Sequence, residues 1–189
     1  MSQATAEQST PTADAPPIAL DQVRSGACLV DYDLTHLDLS GCDLRGADLR
    51  GANLSECRMI GTDLRDTTLV GTTLCGAQLL GANLEDADLT NADASKAVFG
   101  RANLTNATMF QTRLRHATFA HAELRGADLR TADLRNARLR EADLSQADLT
   151  RARMTKTDLT RAHVDGAVFR DADLRRTRLK GLTLSLIHI

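Results

Sequence analysis

From Leu29 to Leu179 every fifth residue is large and apolar: Leu occupies 23 of the 31 positions, and Met59, Met109, Met154, Phe99, Phe119, Phe169, Val164 and the one small exception, Ala94, fill the rest. Two residues before each runs a second column, Ala at 21 of 31 positions, with Thr or Cys at eight others and only Tyr32 and Leu37 large. The residue between the columns is usually polar, often Asp or Asn, as in Ala47-Asp48-Leu49-Arg50-Gly51. No ordinary element carries this period. On an α-helix five residues advance the chain by about 500°, which scatters the Leu residues around the cylinder. On a straight strand an odd spacing points each Leu opposite to the last. The pattern therefore predicts one corner per repeat, with the small residue and the Leu turned inward and the polar residue between them turned out.

The glycines agree with that prediction. Ten of the 12 lie two residues after a Leu-column position, and Asn91, Asn106 and Asn136 share the column. Gly and Asn tolerate the positive φ that a tight turn requires. Trp is absent and aromatics make up 3% of the chain. Stacked Leu, each worth roughly 1.5–3 kcal/mol on full burial before ordering entropy is subtracted, must therefore build the core. Such coils are stable only as a stack in which neighbours share that core.

The repeated unit resembles the pentapeptide-repeat family, whose consensus is a small residue, then Asp or Asn, then Leu, then two variable positions. The resemblance covers Ala27 to Thr183 in an unbroken register. It implies an all-β fold, a right-handed four-sided parallel β-helix with one repeat per side and nearly eight coils. At an inter-strand spacing of ~4.8 Å the rod would be about 37 Å long. Some family members resemble B-form DNA in size and negative charge, bind type II topoisomerases such as DNA gyrase, and protect them from quinolones.

The ends depart from the pattern. Residues 1–17 are rich in Ala, Ser, Thr, Gln and Pro, with no basic or apolar run of a secretory signal, and read as a disordered tail. Residues 18–26, apolar at Ile18, Ala19, Leu20 and Val23, suit an N-terminal cap on the first coil. Residues 184–189 abandon the repeat and resemble the translation of a common sequencing adapter, so the natural chain is expected to continue beyond Thr183, and a dimer is expected if it supplies a C-terminal module. No run reaches the roughly 18 apolar residues of a membrane span, and with no export signal the expected location is cytoplasmic.

Charge is uneven. The net charge is −2, but residues 31–100 hold 12 acidic against 5 basic side chains, and residues 101–189 hold 17 basic against 10 acidic. Fields of this kind bear on association rather than on fold.

Candidate chemistry is sparse. Cys28, Cys42, Cys57 and Cys75 lack metal-site spacing, and Cys42 and Cys57 replace Ala in the inward column. His116 and His121 fall on outward corners, the Asp residues are the polar slot of the repeat, and the glycines are corners rather than a phosphate loop. No catalytic, metal or cofactor site is expected, and the chain reads as an interaction scaffold with a protein partner. If residues twenty apart align, as the resemblance implies, one side carries Arg113, Arg115, Arg135, Arg153, Lys156, Arg175 and Arg176. The next carries Arg138, Arg140, Arg161, Arg178 and Lys180. These are candidate anion-binding ladders for an acidic partner or, less favoured for want of interleaved aromatics, nucleic acid. Ile60, Leu80 and Val98 on that second side form a candidate apolar interface.

Overall fold

The computed structural model describes residues 23–182; the N-terminal tail, most of the expected cap and the C-terminal hexapeptide lie outside the described residues. Every fifth residue from Cys28 to Asp158 makes a parallel bridge to the residue twenty positions later. One coil is therefore four repeats, and the number of sides rests on pairing as well as on resemblance. Side 1 carries the row Leu29, Leu49, Leu69 and onward; side 2 the row from Leu34, side 3 the row from Leu39, and side 4 the row from Leu44.

The corners have one geometry throughout. The N–H of each small inward residue donates to the carbonyl of the Leu-column residue three before it, from Ala27 to Arg24 O at 3.0 Å through Ala102 to Phe99 O at 3.0 Å to Leu182. The second corner residue has φ between 56° and 75° at every repeat from Gly26 to Gly181. That combination is the type II turn, which favours Gly at this place. Here 21 corners are nonetheless non-glycine, Thr131 being the only β-branched one.

Backbone N–H groups are almost fully accounted for, as burial demands. Within the repeat Ala47–Gly51, Leu49 donates to Thr68 O at 2.8 Å and Gly51 to Val70 O at 3.0 Å in the next coil. Asp48 donates back to Ala27 O at 2.9 Å in the previous coil, and Ala47 closes its turn on Leu44 O at 3.0 Å. Only the N–H after the Leu has no backbone partner, and the polar slot supplies one: Arg50 N–H donates to Asp48 Oδ1 at 3.2 Å. Asn53, Asp63, Asn83, Asp93, Asn103 and Asp143 accept from the residue two ahead in the same way. This is the Asx turn, and it explains why the slot prefers Asp and Asn. In a repeat with such a slot all five N–H groups are engaged, which leaves proline no place there; the three prolines, Pro11, Pro16 and Pro17, all precede the repeats.

Inside, the Leu column is fully buried from Leu39 to Val164. Phe99 and Phe119 stack face to face on side 3, centroids 4.8 Å apart and 4° from parallel. Ala94 is also fully buried and shares a coil with Phe99. Ala plus Phe carries as many side-chain carbons as two Leu, so the ring offsets part of the volume lost at Ala94. Inward hydroxyls and the Cys57 thiol are satisfied by backbone carbonyls: Thr62 Oγ1 to Leu39 O at 2.8 Å, Thr112 Oγ1 to Leu89 O at 2.8 Å and Cys57 Sγ to Leu34 O at 2.8 Å reach the coil before, while Thr67 and Thr72 bond to Leu64 O and Leu69 O at their own corners. Among the described residues no buried side-chain nitrogen or oxygen lacks a partner.

Candidate interaction surface

With the interior filled, the outward columns carry whatever the molecule does. Their first property is self-neutralisation. In all six Asp-Leu-Arg triplets the Arg folds back onto the Asp of its own repeat through two guanidinium nitrogens: Arg45–Asp43, Arg50–Asp48, Arg65–Asp63, Arg130–Asp128, Arg135–Asp133 and Arg175–Asp173. The slot and the residue after the Leu both point outward and are neighbours on one side, so bidentate pairing needs no long reach. Hydrogen bonds from the Arg45 side chain and backbone hold the Asp43 carboxyl at about 2. Arg175, then Thr155, hold Asp173 well below the usual carboxylate range.

This settles the surroundings of the first basic ladder. On side 2, Arg115, Arg135 and Arg153 converge on Asp133, at 2.7, 2.6 and 3.9 Å, and Asp133 is only 9% exposed. Arg113 lies 3.6 Å from Asp93, and Arg175 is paired to Asp173 at 2.8 Å. Arg113, Arg115, Arg135, Arg153 and Arg175 are thus held in ion pairs rather than left as an open cationic row, while Lys156 and Arg176, which the sequence assigns to this ladder, line the corner toward side 3.

Side 3 differs. Arg138 and Arg140 have no carboxylate within 4.0 Å among the described residues, nor do Lys156, Arg176 and Lys180; Arg178 lies 3.8 Å from Asp158, and Arg161 3.7 Å from Glu141. At the corner between sides 2 and 3 a groove of about 440 Å³ is lined by His116, Asn136, Ala137, Arg138, Lys156, Asp158, Arg176 and Arg178. Burial pushes the Asp158 carboxyl up. Hydrogen bonds from Thr160 and the charges of Arg140 and Arg178 outweigh it and leave the group below its ordinary value, hence ionised. Farther up the same side Leu80 is 43% and Val98 36% exposed, while Ile60 is half-buried. Leu80 lies over Gly100, where a Cβ would come within 3.1 Å of its Cδ1. On side 1 the Arg130 guanidinium sits 5.5 Å above the Phe110 ring, an ordinary cation–π contact.

Sequence reasoning missed the folding of the triplet arginines back onto their own Asp. The signal was present, since Asp and Arg two apart flank an inward Leu. The four cysteines are all free. Burial pushes the Cys57 thiol to about 11. Among the described residues no cluster of His, Cys, Asp and Glu is disposed to hold a metal ion, and no helix is long and apolar enough to cross a membrane.

A four-sided solenoid with a filled core and aligned outward columns defines the class of the protein. The profile described as "Pentapeptide repeats" matches eight overlapping segments running from residue 27 to residue 186. The chain belongs to the pentapeptide-repeat family, whose fold is the right-handed quadrilateral β-helix. Among solved structures it is similar to QnrB1, a plasmid-mediated fluoroquinolone resistance protein, in trypsin-treated form. That match has a TM-score of 0.51 at 16% identity and covers 82% of this chain and 91% of that one. HetL, a pentapeptide repeat protein from the cyanobacterium Nostoc sp., aligns at 29% identity over 86% of this chain and 89% of its own, with a TM-score of 0.27. A thylakoid-lumen pentapeptide repeat protein of Arabidopsis thaliana aligns at 28% identity over 50% of this chain and 59% of its own, with a TM-score of 0.35. No curated protein matches the sequence significantly.

Proposed function

We propose that the protein is a non-catalytic scaffold that presents rigid side-chain columns to a protein partner. The observation that carries this reading is the twenty-residue pairing, which aligns every outward position with its equivalent one coil away. Such a surface is preordered, so little side-chain and loop entropy is lost when a partner docks. Photo-crosslinking residues placed singly at exposed positions of each side, Arg50, Arg115, Leu80 and Arg125, test it in cells. Reproducible crosslinks to one protein from one side are expected. Crosslinks from no side, or equal crosslinking from all four, overturn the proposal.

A second reading is mimicry of DNA toward DNA gyrase or another type II topoisomerase. It is favoured by the loop-free rod and by the acidic excess of residues 31–100. The basic excess of the C-terminal half argues against it. A supercoiling assay with the full-length protein, with and without quinolone, decides: inhibition or protection supports mimicry, and no effect of either kind disposes of it.

A further inference from the structure

We infer that side 3, together with the corner leading into it, is a docking strip for an acidic protein segment that carries an apolar anchor. The inference rests on the scaffold reading and names the chemistry of the partner. In the column that follows the Leu row on this side, Ile60, Leu80, Gly100, Ala120 and Arg140 succeed one another, so the strip is apolar toward the N-terminal end and basic toward the C-terminal end. Its basic end is the corner groove, where Arg138, Lys156, Arg176 and Arg178 face the single carboxylate of Asp158. That carboxylate is already engaged, since Oδ1 accepts the Thr160 N–H at 3.0 Å and Oδ2 lies 3.8 Å from Arg178. The other cations of the groove have no partner of opposite charge within 4.0 Å among the described residues, whereas the equivalent side 2 arginines converge on Asp133. Unneutralised cations beside exposed apolar groups are complementary to carboxylates beside apolar groups.

Two features favour a protein segment over other polyanions. Duplex DNA offers nothing to the exposed Leu80 and Val98. An anionic membrane would take apolar side chains that project, but Leu80 lies down over Gly100 and the column continues with the small Ala120. The anchor and the charges are three coils apart at Leu80 and Arg140, about 14 Å at the strand spacing. An extended partner covers that distance with about four residues.

Fluorescence anisotropy with a labelled synthetic peptide tests this: an apolar triplet, a spacer of about four serines, and a run of glutamates. The parent protein should bind it. Arg138→Glu combined with Arg178→Glu, and separately Leu80→Ser, should each weaken binding at least tenfold. Arg151→Glu with Arg170→Glu, an equal charge change on side 1 and its corner with side 2, should leave it unaltered. All positions are exposed, and coincident thermal melts check that each variant folds. The proposal is overturned if the peptide fails to bind, if the side 1 variant loses as much as the side 3 variant, or if duplex DNA or anionic vesicles bind more tightly than the peptide. Crosslinks from another side would then still leave the scaffold reading standing.

Discussion

Replacing Thr131 by Gly should stabilise this protein, against the usual rule that Gly weakens an ordered segment. Thr131 sits at φ 59° in a corner, a region in which an L-residue is disfavoured by about 1–2 kcal/mol and a β-branched one is an outlier. Gly removes that strain but adds unfolded-state entropy worth about 0.4–1 kcal/mol. The Thr131 Oγ1 donates to its neighbour's carbonyl, Arg130 O, at 2.6 Å, a bond that water can replace at a corner. The balance is a net gain of about 0.5–1 kcal/mol, or roughly 1–4 °C in melting temperature for a chain of this size. Gly71 provides the mirror experiment, because it lies in the same corner column at φ 68° with nothing within 4 Å of an added Cβ. Gly71→Thr should therefore lose a comparable amount through the backbone alone. Both variants are read by urea unfolding, where the midpoint should move and the slope should not. A destabilised Thr131→Gly, or a stabilised Gly71→Thr, would refute the claim that these corners are strained.

Three further outcomes follow from the packing and charges. Asp133→Asn should cost roughly 1–3 kcal/mol, because it strips the shared carboxylate from Arg115, Arg135 and Arg153; chemical denaturation measures it, and a neutral result would mean the cluster is solvated. Asp43, Asp128 and Asp173 all have folded-state carboxyls below their ordinary values. Their stabilisation is therefore complete above the unfolded-state value near 4 and is lost as pH falls toward about 2. Melting temperature should drop across that window and stay flat between about pH 5 and 8, and a rise on acidification would contradict the assignment. Cys57, its thiol pushed up to about 11 by burial, should resist alkylation in the native state while exposed Cys28 reacts, as mass spectrometry would show.

The fold was legible because period five leaves the chain little choice. Leu64 and Ala82 are buried where the columns put them, and the Gly column coincides with the corners. The number of sides was not legible from period alone, since any closed coil of five-residue sides would show it; the bridge from Asp48 to Thr68 decides it. The surface was only half legible. Alignment of Arg135 with Arg115 and Arg153 could be listed from sequence, but whether they are open or spent depends on where one carboxylate lies, and Asp133 lies among them. Leu80 reads as exposed in sequence and is so, yet its folding over Gly100 depends on a rotamer that spacing does not specify.

The central claim is that the chain turns one corner in every five residues and so keeps its Leu column on the axis, and paired deletions test it most directly. Removing residues 121–140 joins Ala120 to Glu141 in unbroken register; removing 122–140 leaves one residue too many and turns every later Leu off the axis. Thermal unfolding followed by circular dichroism should show a cooperative transition near that of the parent for the twenty-residue deletion, and a collapse of stability for the nineteen-residue one. Equal melting of the two variants would contradict the account.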